Sequence, residues 1–119
     1  MKKILIVEDD SDFQDIYQLY LQGESFGVLT AMNGKEAIAV LEKETPDLII
    51  LDLIMPVMDG EAFYTWLRGQ EKWCHIPVIV ASVNESLPLC MAGNDGIVGS
   101  LRKPFEVDTL LEMIRTNLK

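Results

Sequence analysis

LIILDLIMPVMDG, residues 48–60, runs four apolar residues together, stops them at Asp52 and continues into a turn-rich segment. An unbroken apolar run of that length marks a strand covered on both faces, as in the parallel sheets of α/β domains. The same pattern recurs on either side. ILIV, 4–7, ends in Glu8, Asp9 and Asp10; IPVIVAS, 76–82, closes on Ser82; GIVGSL, 96–101, is a fifth strand candidate despite two glycines, and FGVLTA, 26–31, a weaker one.

Helical spacing fills the gaps between these runs. Ser11 is placed to cap a helix with Phe13, Ile16, Tyr17 and Tyr20 at helical intervals. The pair Asn33 and Gly34 turns into a helix with Ala37, Val40 and Leu41 on one face, and Pro46 ends that unit. Gly60 opens another helix with Phe63, Trp66 and Leu67, with Asp59 reading as its cap rather than as a ligand. Val107, Leu110, Leu111, Ile114 and Leu118 mark a final amphipathic helix. Between Asn84 and Asn94, Pro88 limits any helix to a short piece starting near it. Five strands alternating with about five helices predict an open parallel sheet with helices on both faces.

The chain has 119 residues, 49% of them hydrophobic, enough for one domain over 1–119 with a sizeable core. Ten Lys and Arg against nineteen Asp and Glu leave a net charge of -9, which repels nucleic acid and anionic membranes and favours basic partners or cations. Cys74 and Cys90, with His75 the sole histidine, do not make a zinc site or a disulfide framework and read as thiols in a reducing compartment. MKKILIVEDD has too short an apolar run for a signal peptide or a membrane span, so a cytoplasmic location is expected. Trp66 and Trp73 read as packing or surface residues, and Met55 and Met58 as loop packing.

In an open parallel sheet, sites form beyond the carboxyl ends of the strands. Glu8 and Asp9 follow the first strand, Asp52 the third and Lys103 the fifth, and Ser82 closes the fourth. Should the first and third strands be neighbours, carboxylates about 4 Å apart would repel by about 4 kcal/mol at an effective dielectric near 20. A hard divalent cation offsets that, and with few protein carboxylates Mg2+ fits better than a caged Ca2+. Lys103 and Ser82 suit an arriving anion: a phosphoryl group, with Asp52 as the nucleophile that attacks it. Taken singly, Asp9 also reads as a helix cap and Lys103 as a surface residue; the joint placement carries the functional reading.

KKILIVEDD, DLIMPVMDG, PVIVAS and LRKPF, in that order, resemble the signatures of the response-regulator receiver domain of two-component signalling, over residues 2 to about 117. The resemblance implies a flavodoxin-like (βα)5 three-layer sandwich, its five-stranded parallel sheet ordered 2-1-3-4-5. It implies Asp52 as phosphoacceptor, Asp9 as a direct Mg2+ ligand, Glu8 acting through water, the Ile54 carbonyl as a further ligand and Asp10 as the third acidic position. Ser82 matches the switch hydroxyl and Lys103 the phosphoryl-contacting lysine; the family has a cis peptide at the position of Lys103 to Pro104, which sequence alone does not show because most such bonds are trans. Pro56 would stiffen the loop after Asp52. The implied partners are a histidine kinase or phosphotransfer protein and a downstream protein or attached output domain, with homodimerisation through the face of the fourth and fifth strands. Such a protein catalyses its own phosphorylation and dephosphorylation, yet its role is regulatory.

Two departures stand out. Ser100 occupies a position usually aromatic in that family, and the chain from Ser82 to Lys103 is about one residue short, with Pro88 and glycines where a longer helix is customary. The expectation is therefore intact phosphorylation chemistry with an altered output surface. A phosphorylation-independent interaction module of the same fold is the alternative. A metal-dependent enzyme on a separate substrate fits less well, since the strand-end loops are short, and a flavin site would not place carboxylates where a phosphate must be cradled.

Overall fold

Continuous apolar runs have no polar face to offer water, so each must lie between two layers. The computed structural model describes residues 2–55, 57–83 and 96–118. Five strands, β1 (Lys2–Val7), β2 (Phe26–Ala31), β3 (Leu48–Leu51), β4 (Val78–Ser82) and β5 (Ile97–Arg102), form one parallel sheet ordered β2-β1-β3-β4-β5. Four helices accompany them among the described residues: α1 (Ser11–Gln22), α2 (Gly34–Lys43), α3 (Gly60–Arg68) and α4 (Val107–Asn117). The short helix expected near Pro88, together with Pro56 and Cys90, lies outside the described residues.

Strand alternation divides the core in two. Leu5 and Val7 of β1, Ile49 and Leu51 of β3, and Val78 and Val80 of β4 pack with Ala37 and Leu41 of α2 and Phe63 and Leu67 of α3. Their neighbours Ile4, Ile6, Leu48, Ile50, Ile79 and Ala81 pack with Tyr17 and Leu21 of α1 and Leu110 and Ile114 of α4. The result is the expected three-layer sandwich. Burying each Leu or Ile contributes about 1.5–3 kcal/mol, so the three inner strands carry much of the apolar stabilisation.

Register then fixes the level of the strand ends. Val7 lies opposite Leu51, so Glu8 and Asp52 leave the sheet side by side, and Ser82 lies opposite Arg102, one residue before Lys103. The Lys103 amide donates to the Ser82 carbonyl at 2.8 Å, extending that pairing into the loop.

Several local details differ from the expectations. The cap of α1 is Asp10, not Ser11: its Oδ1 accepts from the amides of Asp12 at 2.9 Å and Phe13 at 3.4 Å. A carboxylate there also complements the positive end of the helix dipole, an advantage a hydroxyl lacks. The inner face of α1 is Gln14, Tyr17 and Leu21, while Ile16 is exposed. β4 begins at Val78 rather than Ile76, because Pro77 has no N–H to give to the ladder and Ile76 closes the preceding turn on Trp73. Asn33 caps α2 through the Glu36 amide and Asp59 caps α3 through the Ala62 amide.

β5 departs from regularity between its pairing of Ile97 with Val78 and of Gly99 with Ile79, where Val98 is the extra residue. Gly99 has a steric reason: a Cβ there would collide with the Met113 sulfur of α4, so glycine lets the helix close on the strand. Trp66 and Trp73 stack at 5.7 Å, with Phe63 continuing the row, in agreement with packing roles.

Candidate functional site

Short backbone links bring the strand ends together. The Glu8 amide donates to the Ala31 carbonyl and the Asp52 amide to the Val7 carbonyl, both at 3.0 Å, so each carboxylate is tied to the strand beside its own. Asp52 is buried, as are Glu8 and Ser82. Lys103 Nζ pairs with Glu8 Oε1 and lies 3.6 Å from Asp52 Oδ2, with 9% of its side chain exposed. The Lys103–Pro104 peptide is cis.

The loop after Asp52 is held closely. Asp52 Oδ1 accepts from the Ile54 amide at 3.4 Å, and Gly60 donates to the Leu53 carbonyl at 3.0 Å. A Cβ at Gly60 would overlap the Asp52 carbonyl oxygen and come within 2.7 Å of Leu53 Cα, so the entry to α3 needs glycine. Met58 packs across the loop, its carbonyl accepting from Gly34 at 3.1 Å. Val57, just before Met58, has φ 68°, a left-handed conformation costly for a β-branched residue.

The electrostatics follow from burial. Burial pushes the Glu8 carboxyl up to about 7, with the Asp52 charge adding to the rise and the Lys103 ammonium opposing it. Burial likewise raises Asp52, against the pull of Lys103. Even Tyr17 on the α1 face of the sheet is raised, by its own burial and then by the charges of Glu8 and Asp52. One lysine thus leaves the buried carboxylates short of positive charge.

A cation would answer that shortage. Glu8, Asp9 and Asp52 each present a carboxylate oxygen, and these atoms lie within 4.8 Å of one another. An all-oxygen donor set of this kind fits a hard ion such as Mg2+. Above it opens a depression of about 410 Å3 whose apolar rim includes Phe13, Ile54, Val83 and Pro104.

The family model of the response regulator receiver domain matches residues 4–115. The chain belongs to that family. Among curated relatives, this receiver domain is 36% identical over 113 residues to the probable transcriptional regulator ycf29 of Porphyra purpurea, covering 94% of this chain and 54% of that one. It is 32% identical over 120 residues to the DNA-binding dual master transcriptional regulator RpaA of Synechocystis sp., covering 100% of this chain and 50% of that one. The chain spans about half the length of these relatives. Among solved structures, the chemotaxis protein CheY4 of Vibrio cholerae superposes with a TM-score of 0.88 at 33% identity, covering 99% of both chains. The response regulator TrrA of Thermotoga maritima, in complex with Mg2+ and BeF, gives 0.85 at 27% identity over 99% of this chain and 100% of that one.

Of the residues singled out from the sequence, Glu8, Asp9, Asp52, Ile54 and Lys103 line this depression and Ser82 closes the neighbouring β4, while Asp10, also at its edge, turns its carboxylate to the helix cap. Its own amide donates to Glu8 Oε2 at 3.2 Å, so Asp10 also steadies its neighbour. Two contributors escaped the sequence reading. Gln14 is buried in α1, and its Nε2 lies 3.0–3.1 Å from the carbonyls of Ile6, Glu8 and Ala31, bracing the end of β1. Phe13, read as a helix-face residue, sets its ring under Lys103, the ammonium 4.3 Å from the ring centre. Gln14 gives no signal in a sequence, since a polar residue inside a helix ordinarily faces water.

Proposed function

We propose that this receiver domain is a Mg2+-dependent phospho-acceptor switch in which Asp52 takes a phosphoryl group from a histidine kinase, a phosphotransfer protein or a small phosphodonor. The observation that carries the reading is the meeting of a buried Asp52 with Glu8, Asp9 and Lys103 at one strand-end depression. The Mg2+ and BeF complex of TrrA supports it.

Asp9, Asp52 and the Ile54 carbonyl would hold the ion, with Glu8 behind them. Bound Mg2+ supplies positive charge that offsets the carboxylates and the phosphoryl oxygens. An Asp52 carboxylate oxygen forms the new bond to phosphorus while the bond from phosphorus to the donor nitrogen or oxygen breaks, the leaving atom keeping its electron pair. Hydrolysis of the acyl phosphate returns the carboxylate and releases inorganic phosphate, which makes the signal temporary.

Lys103 then exchanges its Glu8 contact for a phosphoryl oxygen, and the Ser82 hydroxyl donates to another. Both residues belong to the ends of β4 and β5, so their movement biases the packing of that face toward a second arrangement. A downstream protein or an attached output domain reads the change; the transcriptional regulators named above, twice this length, support an attached output. Homodimerisation through the same face and a cytoplasmic location belong to this proposal. Among the described residues no helix is long and apolar enough to cross a membrane.

Intact mass after incubation with phosphoramidate or acetyl phosphate, with and without Mg2+, tests the reading. The expected result is one added phosphoryl group that requires Mg2+ and is lost in Asp52→Asn. No gain from either donor or from any candidate kinase, in folded protein, would leave the phosphorylation-independent interaction module.

A further inference from the structure

Lys103 is held from two sides, and only one of them is ionic. Glu8 and Asp52 face the ammonium from the sheet; from α1 the flat face of Phe13 meets it at 4.3 Å. The ring is itself fixed. It packs on Tyr17 at 5.6 Å and on Phe105 at 6.0 Å, Tyr17 and Phe105 lie 5.8 Å apart, and the Phe13 amide is bound by the cap Asp10. Phe105 follows Lys103 by two residues, so the turn that carries the lysine also supports its platform.

We propose that Phe13 is a positioning residue for Lys103, an aromatic platform that keeps the ammonium at the mouth of the site whichever anion it is paired with. The inference deepens the phospho-acceptor reading and rests on it for its kinetic consequence. An ammonium bound only by Glu8 would have to give up that contact before reaching a phosphoryl group on Asp52. The face of a benzene ring has no single acceptor atom; its attraction for a cation is spread over the π surface and survives small lateral shifts. Lys103 can therefore slide between Glu8 and the phosphoryl oxygens without leaving the ring. A leucine at position 13 fills comparable space but offers no quadrupole.

The test has two arms, both on the 119-residue chain. In the first, protein carrying 13C at lysine Cε is observed by NMR. The Lys103 Hε signals should lie upfield of those of the other lysines through the Phe13 ring current, return to the common position in Phe13→Leu, and stay shifted in Phe13→Tyr. In the second, phosphorylation by phosphoramidate is followed to saturation. Phe13→Leu should lower the maximal rate about three- to tenfold with little change in the half-saturating donor concentration, and Phe13→Tyr should restore it. Unshifted Lys103 signals in the wild-type protein, or a Phe13→Leu rate equal to wild type, would overturn the proposal. A wild-type chain that takes up no phosphoryl group would sink the phospho-acceptor reading instead, and the first arm would still decide whether Phe13 holds Lys103.

Discussion

The two halves of the site are built on different foundations. Asp52 stands at the end of β3, whose four residues are all buried, between β1 and β4. Lys103 stands at the end of β5, an edge strand in which Leu101 alone is buried. The carboxylate half is locked into the core, and the lysine half hangs on the least enclosed strand end. That asymmetry suits the proposed switch, in which the nucleophile must stay aligned while the element that reports its state must move.

The sharpest way to break this comparison is to press on each half with one methyl group. Gly60→Ala would drive a Cβ into the backbone of Asp52 and Leu53, where nothing flexible can yield, and should cost about 2–4 kcal/mol. Gly99→Ala on β5 meets the Met113 side chain, which can rotate away, and should cost below about 1 kcal/mol. Urea unfolding of both variants checks this; equal losses would show that β5 is as rigidly packed as β3.

Next in size is the pH response of the carboxylate half. Glu8 is raised from 4.5 to about 7, so between these values the folded protein binds more protons than the unfolded chain. Stability therefore declines as pH rises through that window, by roughly 2–3 kcal/mol without metal. Thermal or urea unfolding from pH 4.5 to 7.5 in a chelator should reveal the decline. Saturating Mg2+ should flatten it, since the ion favours the ionised carboxylates. A metal-free profile that instead rises across this window would contradict the burial of Glu8.

A smaller effect belongs to the loop between Asp52 and α3. Val57→Gly removes the penalty of φ 68° on a β-branched side chain, three-quarters exposed, and should stabilise by about 1 kcal/mol. Smallest of all is Ser100→Ala: Ser100 is exposed on β5, and its loss should change stability by under about 0.5 kcal/mol in the same urea titration. A larger change would mean that Ser100 takes part in the packing of the lysine half.

Much of this was legible because parallel sheets write their burial directly into sequence. ILIV and LIIL have no polar side, so their two-faced cover and the place of Glu8 and Asp52 at carboxyl strand ends followed from pattern alone. The strand order did not; it came with the family resemblance, since nothing in a strand's composition names its neighbour. Ser11 and Asp10 are both good caps, and only backbone geometry decides between them. Ile16 is read onto the inner face and Gln14 passed over for a related reason: α1 is rotated so that an amide, not an isoleucine, faces the carbonyls at the end of β1. Lys103 was visible as a strand-end lysine, but its pairing with Glu8 and its seat on Phe13 arise from contacts across about ninety residues, beyond the reach of local periodicity.

The most direct measurement of the central claim is to phosphorylate the chain, trap the acyl phosphate by borohydride reduction and locate the resulting homoserine by tandem mass spectrometry. One modified position, residue 52, dependent on Mg2+, is the expected result. Homoserine at Asp9, Asp59 or another carboxylate, with residue 52 unmodified, would contradict it.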